Sequence, residues 1–157
     1  MKLKKFNIKT FGCQMNVYDS DKIRDIFLTL GFRKTSLVED SDINIINTCH
    51  IRDKAKQKLY SELGKLYKLK KIRLKKNKKT IIIVAGCVAQ AEGKEIYKRA
   101  PFVNIVVGSQ SYQKLSYLVK KELKNNNKSI ELDFDPKSKF DNLPQENFEN
   151  KISSYLT

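Results

Sequence analysis

Residues 80–87 read Thr-Ile-Ile-Ile-Val-Ala-Gly-Cys, an unbroken apolar run that ends in glycine and cysteine. A short β-branched run without polar alternation predicts a strand that is buried on both faces, here from Thr80 to Ala85. Three other segments have the same character, namely Lys5 to Phe11, Ile43 to Thr48 and Val103 to Val107. Such strands are typical of parallel sheets that helices cover on both sides.

Segments with helical spacing separate these strands. The first opens on the N-cap residues of Tyr18–Asp21 and closes at Gly31, and the second runs from about Arg52 into a lysine-rich stretch. The third runs from about Ala89 to Ala100, and the fourth from about Tyr112 to Leu123. The alternation predicts a three-layer α/β fold, an open parallel sheet with helices on both faces and right-handed crossovers.

The length and composition predict one globular domain followed by a linker. A chain of 157 residues with 40% apolar content can build one core, which we assign to residues 1–134 with a possible fifth strand at Ile130 to Phe134. Residues 135–157 are polar, contain two prolines and have no periodicity, so we expect a linker. No run could span a bilayer or serve as a signal peptide, which favours a cytoplasmic protein.

The chain is strongly basic, with 32 Lys and Arg against 17 Asp and Glu and a net charge of +15. Nine of the cationic residues lie between Lys65 and Lys79, a stretch without acids whose only aromatic residue is Tyr67. Such a run suits a polyanion because neutralised phosphates release counterions. A solvated helix face is an equally good interpretation. We therefore expect electrostatic attraction to RNA rather than base readout.

The three cysteines, Cys13, Cys49 and Cys87, each follow directly after one of the first three predicted strands. Because the carboxyl ends of parallel strands share one edge of the sheet, these thiols can meet in space. Gly12 and Gly86 allow sharp turns there, and the helices that follow favour thiolates at their N-termini. An odd number of cysteines excludes a complete set of disulfides, and clustered thiolates are typical ligands of zinc or iron–sulfur clusters.

Other interpretations of the cysteines stay open. Any one of them could be a buried packing residue. Zinc with His50 as fourth ligand is less favoured because zinc ligands usually come in close pairs and adjacent Cys49 and His50 side chains tend to diverge; His50 is then a loop or surface residue. A cysteine nucleophile of the phosphatase type would need a glycine-rich phosphate loop ending in arginine. The non-enzyme alternative is a metal-stabilised RNA-binding module.

Three segments around the cysteines resemble the N-terminal domain of the radical-SAM methylthiotransferases: residues 10–20 (TFGCQMNVYDS), 47–55 (NTCHIRDKA) and 85–93 (AGCVAQAEG). The resemblance continues through Val106–Gln110 and Phe140–Pro144, so it covers nearly the whole chain. Within the family, Gln14-Met15-Asn16 is similar to the branch that acts on isopentenylated adenosine next to the tRNA anticodon. The branches for a ribosomal-protein aspartate and for threonylcarbamoyl-adenosine typically carry other residues there and are the alternatives.

The resemblance implies a four-iron, four-sulfur cluster held by Cys13, Cys49 and Cys87, with its fourth iron open. In the family this cluster takes a methyl group from S-adenosylmethionine and carries the methylsulfide unit. A second such cluster in the radical-SAM barrel splits another S-adenosylmethionine to a radical that activates carbon 2 of the base. Asn16 and Asn47 flank the cysteines and are candidates for orienting ligands or backbone, and Gln14 is a weaker candidate.

The sequence departs from the family in one respect, because it has no Cys-x3-Cys-x2-Cys motif. The radical-SAM barrel and the RNA-binding C-terminal domain are therefore expected as missing partners, in cis or in trans. This chain alone is not expected to catalyse methylthiolation. The other expected partner is the anticodon stem-loop of tRNA, bound by a monomer that makes no contact with a membrane.

Overall fold

The structure is a computed structural model that describes residues 4–50 and 53–124. Strands and helices alternate along this part of the chain. They are β1 (Lys5–Phe11), α1 (Gln14–Thr29), β2 (Arg33–Lys34), β3 (Ile43–Thr48), α2 (Asp53–Lys75), β4 (Ile81–Ala85), α3 (Cys87–Arg99), β5 (Ile105–Val107) and α4 (Leu115–Lys124). Two short 3-10 turns, Val38–Asp40 and Tyr112–Lys114, lie in the connections.

All strand pairs in the sheet are parallel, and the strand order is β2-β1-β3-β4-β5. In register, Phe11 lies opposite Thr48 and Asn47 lies opposite Ala85, so β1, β3 and β4 end almost level with one another. The chain first adds β2 on one side of β1 and then continues with β3 on the other side. This reversal makes the boundary between β1 and β3 a topological switch point, where open α/β sheets bind their ligands.

Helices cover both faces of the sheet, as the sequence predicted. On one face, α1 and α4 pack through apolar side chains such as Phe27 and Leu118 onto the side of β3 that carries Ile43 and Ile45. On the other face, α2 and α3 contribute a second cluster that meets Ile46 of the same strand. Every residue of β3 is buried, including the polar Asn44, Asn47 and Thr48, as expected for the central strand of a sheet that helices cover on both faces.

Two predicted strands have the observed bounds, and the other two begin slightly later, at Ile81 and Ile105. The sequence analysis missed β2. Its two residues, Arg33 and Lys34, are exposed and basic, and they join the sheet only by pairing with Lys5 and Phe6. A two-residue edge strand without apolar side chains leaves no periodic signal.

The prediction that the first helix opens near Tyr18 was wrong, because α1 begins at Gln14 with Cys13 as its N-cap. The Asn16 side chain accepts a hydrogen bond of 3.3 Å from the Cys13 main-chain amide, as in a capping box. The helix therefore begins about one turn before the predicted position. Asp19 and Ser20, which have the residue types of helix caps, instead lie within α1 and are buried.

The remaining helices differ from expectation by a few residues at their ends. Helix α3 starts at Cys87 rather than near Ala89, and a 3-10 turn occupies the first residues predicted for α4. The possible fifth strand at residues 130–134 and the linker at 135–157 lie outside the described residues. Within the described ranges, none of the helices has the length and apolar character required to cross a membrane.

Candidate metal centre

The three cysteines lie at the carboxyl ends of three adjacent strands. Cys13 follows β1 by two residues, Cys49 follows β3 directly, and Cys87 follows β4 by two residues. The main-chain amide of Cys49 donates a hydrogen bond of 3.2 Å to the Phe11 carbonyl, which extends the pairing of β1 and β3 as far as the cysteine. Cys49 is buried, whereas Cys13 and Cys87 are exposed. Two thiols therefore face solvent beside a third one in the protein.

The thiol of Cys13 caps the first turn of α1. Hydrogen bonds from the main-chain amides of Met15 and Asn16 lower its pKa below the ordinary value, and a smaller contribution comes from the Cys49 thiol. The amides act because the first N–H groups of a helix have no partner within the helix. Cys13 therefore ionises more readily, and the thiolate is the form that binds metals.

Two asparagines and a serine connect the start of α1 to β3. The Asn16 side chain donates to the Asn47 side-chain oxygen over 3.3 Å, and the Asn47 amide donates to the Asn16 carbonyl over 2.8 Å and to the Ser20 hydroxyl over 2.9 Å. Thr10 of β1 shares a 2.7 Å hydrogen bond with Ser20. Since Asn16 also contacts the Cys13 thiol at 3.5 Å, this network fixes the position of Cys13 relative to the sheet.

Two glycines allow the backbone to pass close to these side chains. A Cβ atom on Gly12 would lie 2.8 Å from the Cβ of Cys49 and 2.5 Å from Asn16 Oδ1. A Cβ atom on Gly86 would lie 2.4 Å from the carbonyl oxygen of Thr48. Both glycines have positive φ, +137° and +102°, a region that other residues rarely adopt. The cysteine loops are therefore packed directly against the central strand.

A second buried pair joins α1 to the turn that follows β5. The Tyr112 hydroxyl donates a hydrogen bond of 3.2 Å to Asp19 Oδ2, and both side chains are buried. Burial first, then the Asp19 carboxylate, and then the nearby Cys87 raise the pKa of Tyr112 far above its ordinary value. The Tyr112 hydroxyl therefore stays neutral at physiological pH.

His50 is exposed, as expected for a loop residue, and its Nδ1 lies 3.7 Å from Glu92 Oε1 of α3. The same carboxylate oxygen accepts a hydrogen bond of 2.8 Å from Lys56 at the start of α2. Glu92 has non-helical φ and ψ values and marks a kink in α3. These contacts tie the segment after Cys49 to the helix that begins with Cys87.

The structure brings Cys13 and Cys49 together, and Cys87 lies just after the end of the neighbouring strand β4. In residues 4–50 and 53–124, however, no group of three or more Cys, His, Asp or Glu side chains is close enough to hold a metal ion. The donor chemistry nevertheless fits an iron–sulfur cluster. Three sulfur ligands are available at the carboxyl ends of the strands, and two of them are exposed.

Sequence reasoning selected Asn16 and Asn47 but missed their neighbours. Ser20, Asp19 and Tyr112 complete the polar contacts around the cysteines. A signal for two of them was present, because Asp19 and Ser20 share one helix face with the buried Ile23 and Phe27. Polar residues that continue an apolar stripe indicate a buried hydrogen-bond network. Tyr112, distant in sequence, left no such signal.

Comparison with known proteins gives close relatives. An enzyme of Rickettsia felis named tRNA-2-methylthio-N(6)-dimethylallyladenosine synthase is 51% identical over 155 residues, which cover 98% of this chain and 35% of the relative. The protein of the same name from Pelagibacter ubique is 51% identical over 156 residues, 99% of this chain and 34% of the relative. The chain thus spans about a third of the length of these curated relatives.

The family comparison agrees with these relatives and with the resemblance found in the sequence. Residues 5–108 match the family described as "Uncharacterized protein family UPF0004". The matched range runs from β1 to the residue after β5, so it includes every strand of the described sheet and all three cysteines. The chain therefore belongs to the UPF0004 family.

Proposed function

We propose that this chain is the auxiliary-cluster domain of a tRNA methylthiotransferase, and that Cys13, Cys49 and Cys87 hold a four-iron, four-sulfur cluster. The full enzyme would add a methylthio group to carbon 2 of isopentenylated adenosine next to the anticodon, in the cytoplasm. The observation that carries the proposal is the placement of all three thiols at the ends of adjacent strands beside the topological switch point. The relatives' name supplies the reaction and the RNA substrate.

The cluster, when bound, would supply an iron with one open coordination position that carries the sulfur unit. The protein's own residues prepare its ligands. The amides of the first turn of α1 favour the Cys13 thiolate, and Asn16 and Asn47 hold that turn against β3. Gly12 and Gly86 let the cysteine loops pack closely against Cys49 and against the main chain of Thr48. A second cluster and S-adenosylmethionine would belong to the part of the enzyme outside the third of the relatives' length that this chain matches.

The basic run contributes to tRNA binding in our proposal, but only some of its residues are available. Arg73 is buried and donates to Asp42 Oδ1 over 2.6 Å, and Lys70 donates to Asn104 Oδ1 over 2.7 Å. Lys65 pairs with Glu62 at 2.8 Å. Arg73 and Lys70 thus support the fold, whereas the Lys65 pair is solvent-exposed and contributes little to stability. The other exposed cations of the run are Lys68, Lys71, Lys75, Lys76 and Lys78, together with Lys79, which donates to the Glu122 carbonyl over 2.7 Å.

This exposed basic surface lies far from the cysteines. Helix α2 starts near the carboxyl ends of the strands, where the cysteines lie, and runs back over 23 residues to the end of the sheet where the strands begin. At about 1.5 Å per residue, Lys68 to Lys75 are roughly 22–33 Å along the helix from its start. The surface is thus suited to phosphates of the tRNA stem, while the cysteine edge approaches the modified base. Its contacts would strengthen binding without reading sequence.

The cluster is tested by anaerobic reconstitution of the chain with iron and sulfide, followed by metal analysis and electron paramagnetic resonance. We expect the parent to hold a four-iron cluster and each single Cys→Ala variant at 13, 49 and 87 to lose it. The His50→Ala variant is the matched control and should keep the cluster, since His50 points to Glu92. Colourless zinc binding that needs His50, or a cluster that survives two of the cysteine changes, would instead support a metal-stabilised RNA-binding module.

The RNA surface is tested by measuring affinity for isopentenylated tRNA across a range of salt concentrations. The triple variant Lys68→Gln, Lys71→Gln, Lys75→Gln should bind more weakly and lower the salt dependence of the binding constant by about one unit of slope per lost phosphate contact. Its control is the variant Lys22→Gln, Lys34→Gln, Lys120→Gln, which removes equal charge from α1, β2 and α4. An equal effect of both variants would contradict a localised RNA surface.

A further inference from the structure

The structure contains a cavity at the end of the sheet where the strands begin, opposite to the cysteines, and we propose that residues 130–135 of this chain dock there. The cavity has a volume of about 270 Å³ and opens between the starts of β1, β3 and β4 and the end of α4. The proposal does not depend on the metal centre. It concerns how the chain leaves the domain.

The floor of the cavity is apolar. Ile43 and Ile81 are the first residues of β3 and β4, and Leu123 is the second-last residue of α4. Ile43 and Ile81 are almost completely buried, so the apolar surface that the cavity still exposes comes from Leu123, which is partly buried in the same cluster, and from the methylene groups of the lining lysines. Apolar side chains at the start of a sheet, with a cleft above them, favour an apolar occupant.

The rim of the cavity is basic. Five of its lining residues are cationic and two are acidic. The acids are already engaged, because Asp40 pairs with Lys5, and Asp42 pairs with Arg73 at 2.6 Å. Lys4 and Lys78 are exposed at the rim beyond these pairs. The cavity therefore suits a segment that combines apolar side chains with carboxylates.

The chain itself provides such a segment next to the cavity. Residues 130–135 read Ile-Glu-Leu-Asp-Phe-Asp, in which apolar and acidic residues alternate. In an extended conformation the apolar residues lie on one side and the acids on the other. The alternation matches a cleft with an apolar floor and a lysine rim.

The connection is long enough for this docking. The described chain ends at Lys124, directly after the lining residue Leu123, and five residues separate Lys124 from Ile130. At about 3.3–3.6 Å per residue, these five residues can span roughly 17 Å. A tethered segment also has a high effective concentration, so even a weak complementary contact is occupied. Docking would make residues 130–135 part of the domain, so that the chain leaves the domain at the end of the sheet opposite to the cysteines.

Hydrogen–deuterium exchange of the full chain tests the proposal. We expect the main-chain amides of residues 131–135 to exchange at least about tenfold more slowly than in a free peptide. Lys78→Glu and Asp133→Lys should each reduce this protection by about threefold, as expected for a partly exposed ion pair. Combined, the two changes should restore much of it, because the opposite charges again face each other.

Lys94→Glu, on the exposed side of α3, is the matched control and should leave the protection unchanged. Exchange of the β3 and β4 amides in the same experiment reports whether each variant is folded. Exchange of residues 131–135 at the free-peptide rate would refute the docking. So would protection of residues 1–3 that responds to Lys78→Glu while residues 131–135 stay unprotected, since the N-terminus would then occupy the cavity.

Discussion

The side-chain amide of Asn47 donates a hydrogen bond of 2.8 Å to the main-chain carbonyl of Asn16. This single contact joins the central strand to the helix turn that presents Cys13. The Asn47 side chain is completely buried, so its hydrogen bonds have no competition from water. The candidate metal centre therefore depends on a residue that contains no sulfur.

We predict that Asn47→Ala lowers the free energy of unfolding by about 1–3 kcal/mol, because the Asn16 carbonyl and the Ser20 hydroxyl lose a buried donor. Asn44→Ala is the control on the same strand. Its side chain is also buried, but neither polar atom has a hydrogen-bond partner within the described residues, so its removal should cost less. Urea titrations of both variants measure the difference, and equal losses would contradict the role of the Asn47 contacts.

We predict that Gly86→Ala destabilises the domain and disturbs Cys87. The new Cβ would lie 2.4 Å from the Thr48 carbonyl oxygen, and the residue would keep a φ of +102°. Gly64→Ala in α2 is the control, since its Cβ would meet no atom within 4 Å. Alanine should stabilise that helix by roughly 0.5–1 kcal/mol. Thermal unfolding measures whether each variant is less or more stable than the parent. A Gly86→Ala variant as stable as the parent would disprove the close approach of this loop to β3.

We predict that Cys13 in the metal-free protein reacts with iodoacetamide at a lower pH than the same cysteine in the urea-unfolded chain. The amides of Met15 and Asn16 lower the pKa of the folded thiol, so the thiolate persists as the pH falls. The pH midpoint of alkylation, followed by mass spectrometry, measures the shift. Coincident midpoints in the two states would show that the N-terminus of α1 does not stabilise the thiolate.

We predict that alkaline pH destabilises the fold through Tyr97. Burial raises the pKa of this tyrosine from 10.0 to about 12. The contribution of the neutral tyrosine to the free energy of unfolding is fully present below pH 10. It is lost as the pH rises toward 12, because in that range the tyrosine ionises readily only in the unfolded chain. Tyr97→Phe should therefore flatten the fall in unfolding free energy over this range, by up to about 2 kcal/mol. An identical pH profile for the variant would contradict the shift.

The strands, the cysteine positions and the start of α1 show which features local sequence patterns can predict. Each of the four strands predicted within the described residues is present, because a β-branched run has few other ways to be buried, and each cysteine was correctly expected at a strand end. The start of α1 was predicted wrongly, because the polar residues near Tyr18 looked like caps. In the folded protein, Asp19 and Ser20 find distant partners in Tyr112 and Asn47. Local capping rules do not include such partners.

The sequence by itself determined the alternation of strands and helices, the positions of the three cysteines and the family, since these depend on local patterns of residues. The tertiary structure decided that β1, β3 and β4 are neighbours, that Arg73 supports the fold instead of facing solvent, and that a cavity forms opposite to the cysteines. Strand order and burial of a charge depend on which distant segments meet. That outcome is set by the packing free energy of the whole chain, which periodicity in a single segment does not contain.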